Sequence, residues 1–309
     1  MMKRKKWLLT AGLMAGLALV LSGCGFPGLS SSSKDTITIA AQSTTEQQIV
    51  AAIDQQMIEH YTPLKVTVIQ NLGSATVSMA ALKKGEVDMS AARYNGTDLT
   101  DILGKTSSHN PTKDTEYVIK TFKKKYGLIY LKPYGFADTY SWMVTQKTAK
   151  KYHLNDVSDM KKYASTMKVG IDQQWRDRRG DGYADFEKLY GFGFKNMYSM
   201  QIGLVYDALD AGKMDAILGY STDGRINSYH LKMLKDNKHF FPPYEASPVV
   251  RESVLKKHPE LKPVLNKLAG KISVKTMQKL NYQVDNDLEE PSTVAEKYLK
   301  AHNYFEGGN

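Results

Sequence analysis

The sequence predicts an α/β protein built as two lobes. Short β-rich runs alternate with helical stretches, that alternation occurs twice (36–93 and 167–222), and the tail from Ser253 onward reads as mostly helical. Strand–helix–strand units of this length imply a parallel sheet with right-handed crossovers. Two such units followed by a helical tail predict a chain that leaves one lobe, builds a second and returns.

In order along the chain, "TITIAA" (36–41) has the alternation of a strand and "STTEQQIVAAIDQQMIEHY" (43–61) the apolar spacing of a helix. Ser43 followed by Glu46 matches a capping box, which predicts a helix start right after Gln42. A second strand follows at "VTVIQN" (66–71), a second helix at "GSATVSMAALKKGE" (73–86) and a third strand at "VDMSAAR" (87–93). The later unit repeats the scheme: strand "MKVGID" (167–172), helix "YADFEKLYG" (183–191), helix "QIGLVYDALDAGK" (201–213) and strand "MDAILGYST" (214–222). Two phrases, "KKGEVDMSAARY" (83–94) and "DAGKMDAILGY" (210–220), each combine a helix end, a Gly turn and a strand that stops at a tyrosine. They read as an architectural echo between lobes. Ligands in open α/β sheets bind at the carboxyl ends of strands, beside helix N-termini, so Tyr94 and Tyr220 mark candidate sites.

Ahead of this framework lies "LVLSGCGFPGLSSSSKD" (19–35), with the single cysteine of the 309-residue chain. One thiol forms no internal disulfide, and a structural zinc site takes several Cys and His ligands. Residues 3–6 are Lys-Arg-Lys-Lys, followed by an apolar run from Trp7 to Val20 and then Leu21-Ser22-Gly23-Cys24. A basic segment, a short apolar core and small residues make a secretory signal, assigned to 1–23. Leu-Ser-Gly-Cys resembles the lipobox of bacterial lipoproteins, which implies cleavage before Cys24 and acyl chains on that residue. An uncleaved anchor is the competing reading, but a spanning helix needs about 20 apolar residues and this run is shorter. Residues 24–35, with Gly, Pro and four consecutive serines, read as a flexible tether.

Formal net charge is +10, of which residues 1–23 contribute four basic groups and no acid, leaving about +6 (10 − 4) on the mature chain. The charges are interspersed, without the basic face and interleaved aromatics of a nucleic-acid binder. No catalytic constellation stands out. "GKT" (104–106) has Leu99 where a P-loop needs Gly, and "DRRGDG" (177–182) has Arg179 and Lys188 at positions where a calcium loop needs acids. There is no Gly-x-Ser-x-Gly elbow and no zinc spacing among the seven histidines. Neither a cofactor nor a metal is expected.

Nineteen tyrosines remain to be explained. Besides Tyr94 and Tyr220, Tyr140 ("YGFADTYSW") and Tyr244 ("FFPPYEASP") lie in segments that connect the lobes. Several rings facing one cleft suit a quaternary ammonium, which has no N–H to donate and is attracted by ring faces at about 0.5–2 kcal/mol each.

The chain resembles the substrate-binding lipoproteins of osmoprotectant ABC importers, the OpuC/ProX type for glycine betaine, carnitine and choline. The similarity runs over about 36–305 and is carried by "IAAQS", "NLGSATV", "GEVDMSAARYNGTDLT", "QIGLVYDAL", "KMDAILGYSTDGRI", "FFPPYEASPVV" and "HPEL". It implies a two-lobed type II periplasmic-binding-protein fold closing over a ligand cleft, with lobe 1 at 36–138 plus 246–309 and lobe 2 at 139–245. It implies a cage of Tyr94, Tyr140, Tyr220 and Tyr244, two rings from each lobe, with Gln42 and Thr97 near the ligand's carboxylate end. The arginine that many relatives offer this carboxylate has no settled register here: Arg176, Arg178 and Arg179 are all candidates, and a solvated basic turn is equally compatible. The resemblance further implies a monomer anchored outside the cell membrane through Cys24, handing ligand to a permease driven by a separate ATPase. The alternatives are another amine or amino acid in the same fold, an exported enzyme acting on choline derivatives, and an adhesin or sensor without an enclosed pocket.

Overall fold

The computed structural model describes residues 36–178 and 180–306; Cys24, the signal and tether around it, and Arg179 lie outside the described residues. Among the described residues ten strands carry the framework: β1 (Thr36–Gln42), β2 (Lys65–Leu72), β3 (Met89–Tyr94), β4 (Leu128–Tyr130), β5 (Tyr140–Thr145), β6 (Lys168–Asp172), β7 (Asn196–Met200), β8 (Ala216–Tyr220), β9 (Leu231–Met233) and β10 (Ala246–Arg251). They form two five-stranded sheets, ordered β2-β1-β3-β10-β4 and β7-β6-β8-β5-β9. Each sheet therefore places next to its third strand one that has crossed from the other half of the chain: β10 beside β3, β5 beside β8. Both run antiparallel to that neighbour. The sheets are mixed rather than purely parallel, because β5 and β10 enter directly from the crossovers instead of through a helix.

Local chemistry explains most element ends. Helix Ala75–Lys84 starts where Ser74 accepts the Val77 N–H at 3.2 Å and stops at Gly85, whose φ of 77° suits the left-handed position. The phrases 83–94 and 210–220 share one device. Asp88 accepts the Thr38 N–H at 2.9 Å, and Asp215 accepts the Lys168 N–H at 2.8 Å, each tying the start of a third strand to the first strand of its unit. The expected capping box is absent. Helix Thr45–Tyr61 begins after Thr44 with no side-chain cap, and Glu46 turns inward, its carboxylate held by tertiary partners rather than by the local backbone.

The first core wraps Ile49, Val50, Ile53 and Met57 of helix Thr45–Tyr61 against β1 and the C-terminal helices Val274–Asp285 and Pro291–Ala301. The second is aromatic, with Trp142 and Trp175 edge to face at 5.9 Å among Phe186, Phe194 and Phe240. The turn after helix Tyr183–Tyr190 supplies Phe192 and Phe194 to this cluster. The two crossing segments run side by side: Asp138 N–H donates to the Tyr244 carbonyl at 3.2 Å, and Ala246 N–H to that of Phe136 at 3.2 Å. A third brace comes from helix Val274–Asp285. Gln278 and Asn281 donate to the Ser221 and Thr222 carbonyls at 2.7 and 2.9 Å. A Cβ on Gly224 would stand 2.7 Å from Cβ of Tyr282, so only glycine permits that approach.

Candidate functional site

Strand ends build the site. Gln42, Tyr94 and Tyr220 are the last residues of β1, β3 and β8. Tyr140 opens antiparallel β5 and pairs with Tyr220, while Ala246 of β10 pairs with Tyr94, so Tyr244 lies just beyond that same edge. A cavity of about 200 Å³ lies there, lined by Gln42, Tyr94, Thr97, Tyr140, Tyr220 and Tyr244, all six of the residues singled out in the sequence. Thr44, Gln47, Ala75, Asp138 and Arg178 complete the lining. A larger groove of about 520 Å³ borders β5 and β9 and shares only Tyr140 with this lining. Its lining reaches Ser221 after β8 but takes nothing from the ends of β1 and β3, so only the smaller cavity has all three strand ends around it.

Three of the four phenols donate to carboxylates: Tyr94 to Glu46, Tyr244 to Asp181, and Tyr140 to Asp172 at 3.3 Å. Burial, reinforced by those acids, pushes the Tyr94 and Tyr244 hydroxyls well above the usual phenol range, so both rings stay neutral. A phenol that donates to an anion has an electron-richer ring, which strengthens its pull on a cation. Tyr220 is held differently. The Tyr206 hydroxyl accepts its N–H at 2.6 Å and donates to its carbonyl at 3.0 Å, and its ring lies 5.1 Å from that of Tyr140.

Close packing sets the ring positions. A Cβ on Gly96 would stand 2.8 Å from Cδ1 of Tyr244. Tyr244 itself adopts φ of 41°, a conformation uncommon for a bulky residue and held here by the crossover pairing and by Asp181. Its ring packs into the second core with Tyr140 and Tyr220, and Tyr94 on β3 borders both cores. Tyr244 lies just before β10 and meets both sides: its ring belongs to the second core and also closes against Gly96 in the turn after β3.

Of the three candidate arginines, Arg178 lines the cavity, Arg176 is exposed and Arg179 lies outside the described residues. The Arg178 guanidinium donates to Asp181 at 2.6 Å, to the Tyr244 hydroxyl at 3.1 Å and to Thr100 at 3.4 Å, and approaches Asp101 at 3.7 Å. It thereby links the segment after β6 to the turn after β3. That turn is braced by the buried Arg93–Asp98 pair; Arg93 also donates to the carbonyl of Ala75 at 3.3 Å. One guanidinium thus ties Ala75 to Asp98, the chain neighbour of Thr97.

Sequence reasoning missed Asp138, although it stands two residues before Tyr140. Its carboxyl accepts from Thr222 at 2.8 Å, and burial together with the charge of Glu46 pushes it well above the usual range. Gln47, Thr44 and Ala75 carried no signal in the sequence beyond their place at helix starts.

A family profile described as the substrate-binding domain of ABC-type glycine betaine transport systems matches residues 35–301. The chain is 52% identical over 308 residues to a carnitine transport binding protein, OpuCC, of Listeria monocytogenes, covering all of both chains. It is 32% identical over 266 residues to the ergothioneine transport permease/ergothioneine binding protein EgtU of Helicobacter pylori, covering 85% of this chain and 47% of that one. A crystal structure described as a glycine betaine/carnitine/choline ABC transporter superposes with a TM-score of 0.83 at 50% identity, over 87% of this chain and 100% of the other.

Proposed function

Because this chain belongs to the substrate-binding family of ABC-type glycine betaine transport systems, we propose that it captures a quaternary-ammonium osmolyte in the cavity between β3, β5 and β8. It is an extracytoplasmic solute-binding protein with a two-lobed α/β fold, its partner is an ABC permease with its ATPase, and it is not an enzyme. The ligand is glycine betaine, carnitine or choline. Its ammonium sits among Tyr94, Tyr140, Tyr220 and Tyr244, and a carboxylate, where present, points toward Thr97, Gln42 and Arg178. Lobe 1 comprises 36–138 and 246–309, lobe 2 comprises 139–245, and the monomer is held at the membrane by lipid on Cys24.

The observation that supports this reading is the convergence of four neutral phenol rings on one small cavity, three of them hydrogen-bonded to acids. A neutral apolar solute gains nothing from such acids, whereas a cation without N–H groups gains from ring faces and from the surrounding negative charge. A thermal-shift and calorimetric screen against glycine betaine, carnitine, choline, ergothioneine, ectoine and proline tests it. Quaternary ammonium compounds are expected to bind and proline not to. Binding of proline with no response to any quaternary ammonium would overturn the ligand class and leave the fold assignment standing.

A further inference from the structure

Two carboxyls at the site lack a cation: Glu46, buried and bonded to the Tyr94 hydroxyl, and Asp138, half-buried on the cavity wall. Glu46 enters from helix Thr45–Tyr61 and Asp138 from the first crossover, and neither forms an ion pair with a Lys, Arg or His among the described residues. The groups that face them come from three further elements. β3 gives the Tyr94 hydroxyl, helix Val274–Asp285 gives Asn281, and the segment after β8 gives Thr222 and Asp223; the carboxyls also face each other. Arg225, the nearby cation, is engaged by both oxygens of Asp223 at 2.8–3.0 Å and by the Gly203 carbonyl at 2.8 Å.

Donors are scarce in this cluster. The Tyr94 hydroxyl, the hydroxyl and backbone N–H of Thr222 and the Asn281 amide face two carboxyls and the Thr222 carbonyl, and no donor reaches the buried Asn281 Oδ1. An acid proton supplies one missing donor, and it removes the repulsion between two carboxylates that burial would otherwise magnify. Asp138 also lines the cavity, so a cation held there lies beside it.

We propose that Glu46 and Asp138 share one proton in the ligand-free protein, and that a quaternary ammonium entering the cavity expels this proton to solvent. The inference rests on the ligand class proposed above. The cation replaces the proton as the counter-charge of the pair, so binding and protonation compete. Burial holds both carboxyls above their usual range in the empty protein, and the ligand's charge lowers them. Affinity is therefore full above the pair's ligand-free pKa and falls by up to about tenfold per pH unit as the pH drops below it, levelling off once the occupied site is itself protonated.

Calorimetry with choline and with glycine betaine, from pH 5 to 9 in two buffers of different ionisation enthalpy, measures affinity and proton exchange separately. Net proton release is expected, approaching one per site within the falling limb and vanishing beyond either end of it. Asp138→Asn and Glu46→Gln keep the shape but remove one acid each. Either variant should abolish the release, flatten the pH profile and lower the affinity at pH 8. Tight binding by the unaltered protein with no proton exchange at any pH would overturn the linkage and leave the ligand class intact. Undiminished release in both variants would equally overturn it. If no quaternary ammonium binds at all, the ligand class falls, and the linkage with it.

Discussion

Replacing Tyr220 by Leu separates what its ring contributes as a quadrupole from what it contributes as apolar surface. The backbone of Tyr220 is pinned on both sides by the Tyr206 hydroxyl and sits in the β8 ladder with β5, so the strand should survive the change. The ring's neighbour is Tyr140 at 5.1 Å, an aromatic pair worth about 0.5–1.5 kcal/mol. At roughly 2–4 °C per kcal/mol for a chain of this size, the ligand-free Tm should fall by no more than about 6 °C. The ring's attraction for a desolvated cation is about 1–2 kcal/mol, which Leu does not supply. Affinity for choline and glycine betaine should therefore drop about 5- to 30-fold. Tyr220→Phe retains the face and should stay within about threefold of the unaltered protein. Calorimetry on both variants, with 3,3-dimethylbutanol as the uncharged isostere of choline, reads the difference. Equal losses for choline and the isostere would refute the electrostatic role and leave packing alone. An unchanged choline affinity would remove Tyr220 from the site.

Gly96→Ala places a methyl 2.8 Å from the Tyr244 ring and 2.9 Å from Pro242 Cβ; overpacking of this kind costs about 1–3 kcal/mol, and displacement of the ring should weaken choline binding about tenfold or more in the same calorimetric assay. Thr97→Asp puts a second carboxylate about 5 Å from betaine's own, a cost of roughly 3 kcal/mol at an effective dielectric of 20 and about a hundredfold in affinity. Choline, with a hydroxyl that can donate to the new acid, should keep or gain affinity; parallel loss of both ligands would show that Thr97 does not face the ligand's tail. Cys24→Ala should leave ligand binding intact and abolish lipid attachment, since stable anchoring takes two acyl signals, and membrane fractionation of the variant checks it.

What depends on near neighbours was legible along the chain. Apolar periodicity placed β1, β2, β3, β6 and β8 and the helices between them, because burial of one face imposes a period that survives in any context. Gly85, in the left-handed position after its helix, with Asp88 three residues on, and Gly212 with Asp215, made the echo between the two units legible. The four tyrosines were marked by standing at strand ends and in connecting segments and by the family resemblance; periodicity and spacing alone did not unite them. Tertiary structure decided what depends on residues far apart in the chain. The alternation scheme missed β5 and β10, since crossing strands are defined by the sheet they enter and not by a local pattern. Glu46 looked like half of a capping box because its spacing from Ser43 is right, yet Tyr94 and Asn281, 48 and 235 positions away, turned it inward. Arg178 and Arg176 cannot be told apart in "WRDRRGDG", because which side chain faces a cavity depends on the single helical turn Gln173–Arg176 and on buried Asp181. Tyr244 joined the second core for the same reason. A ring follows the apolar volume available to it, and that volume exists only once both crossovers are paired.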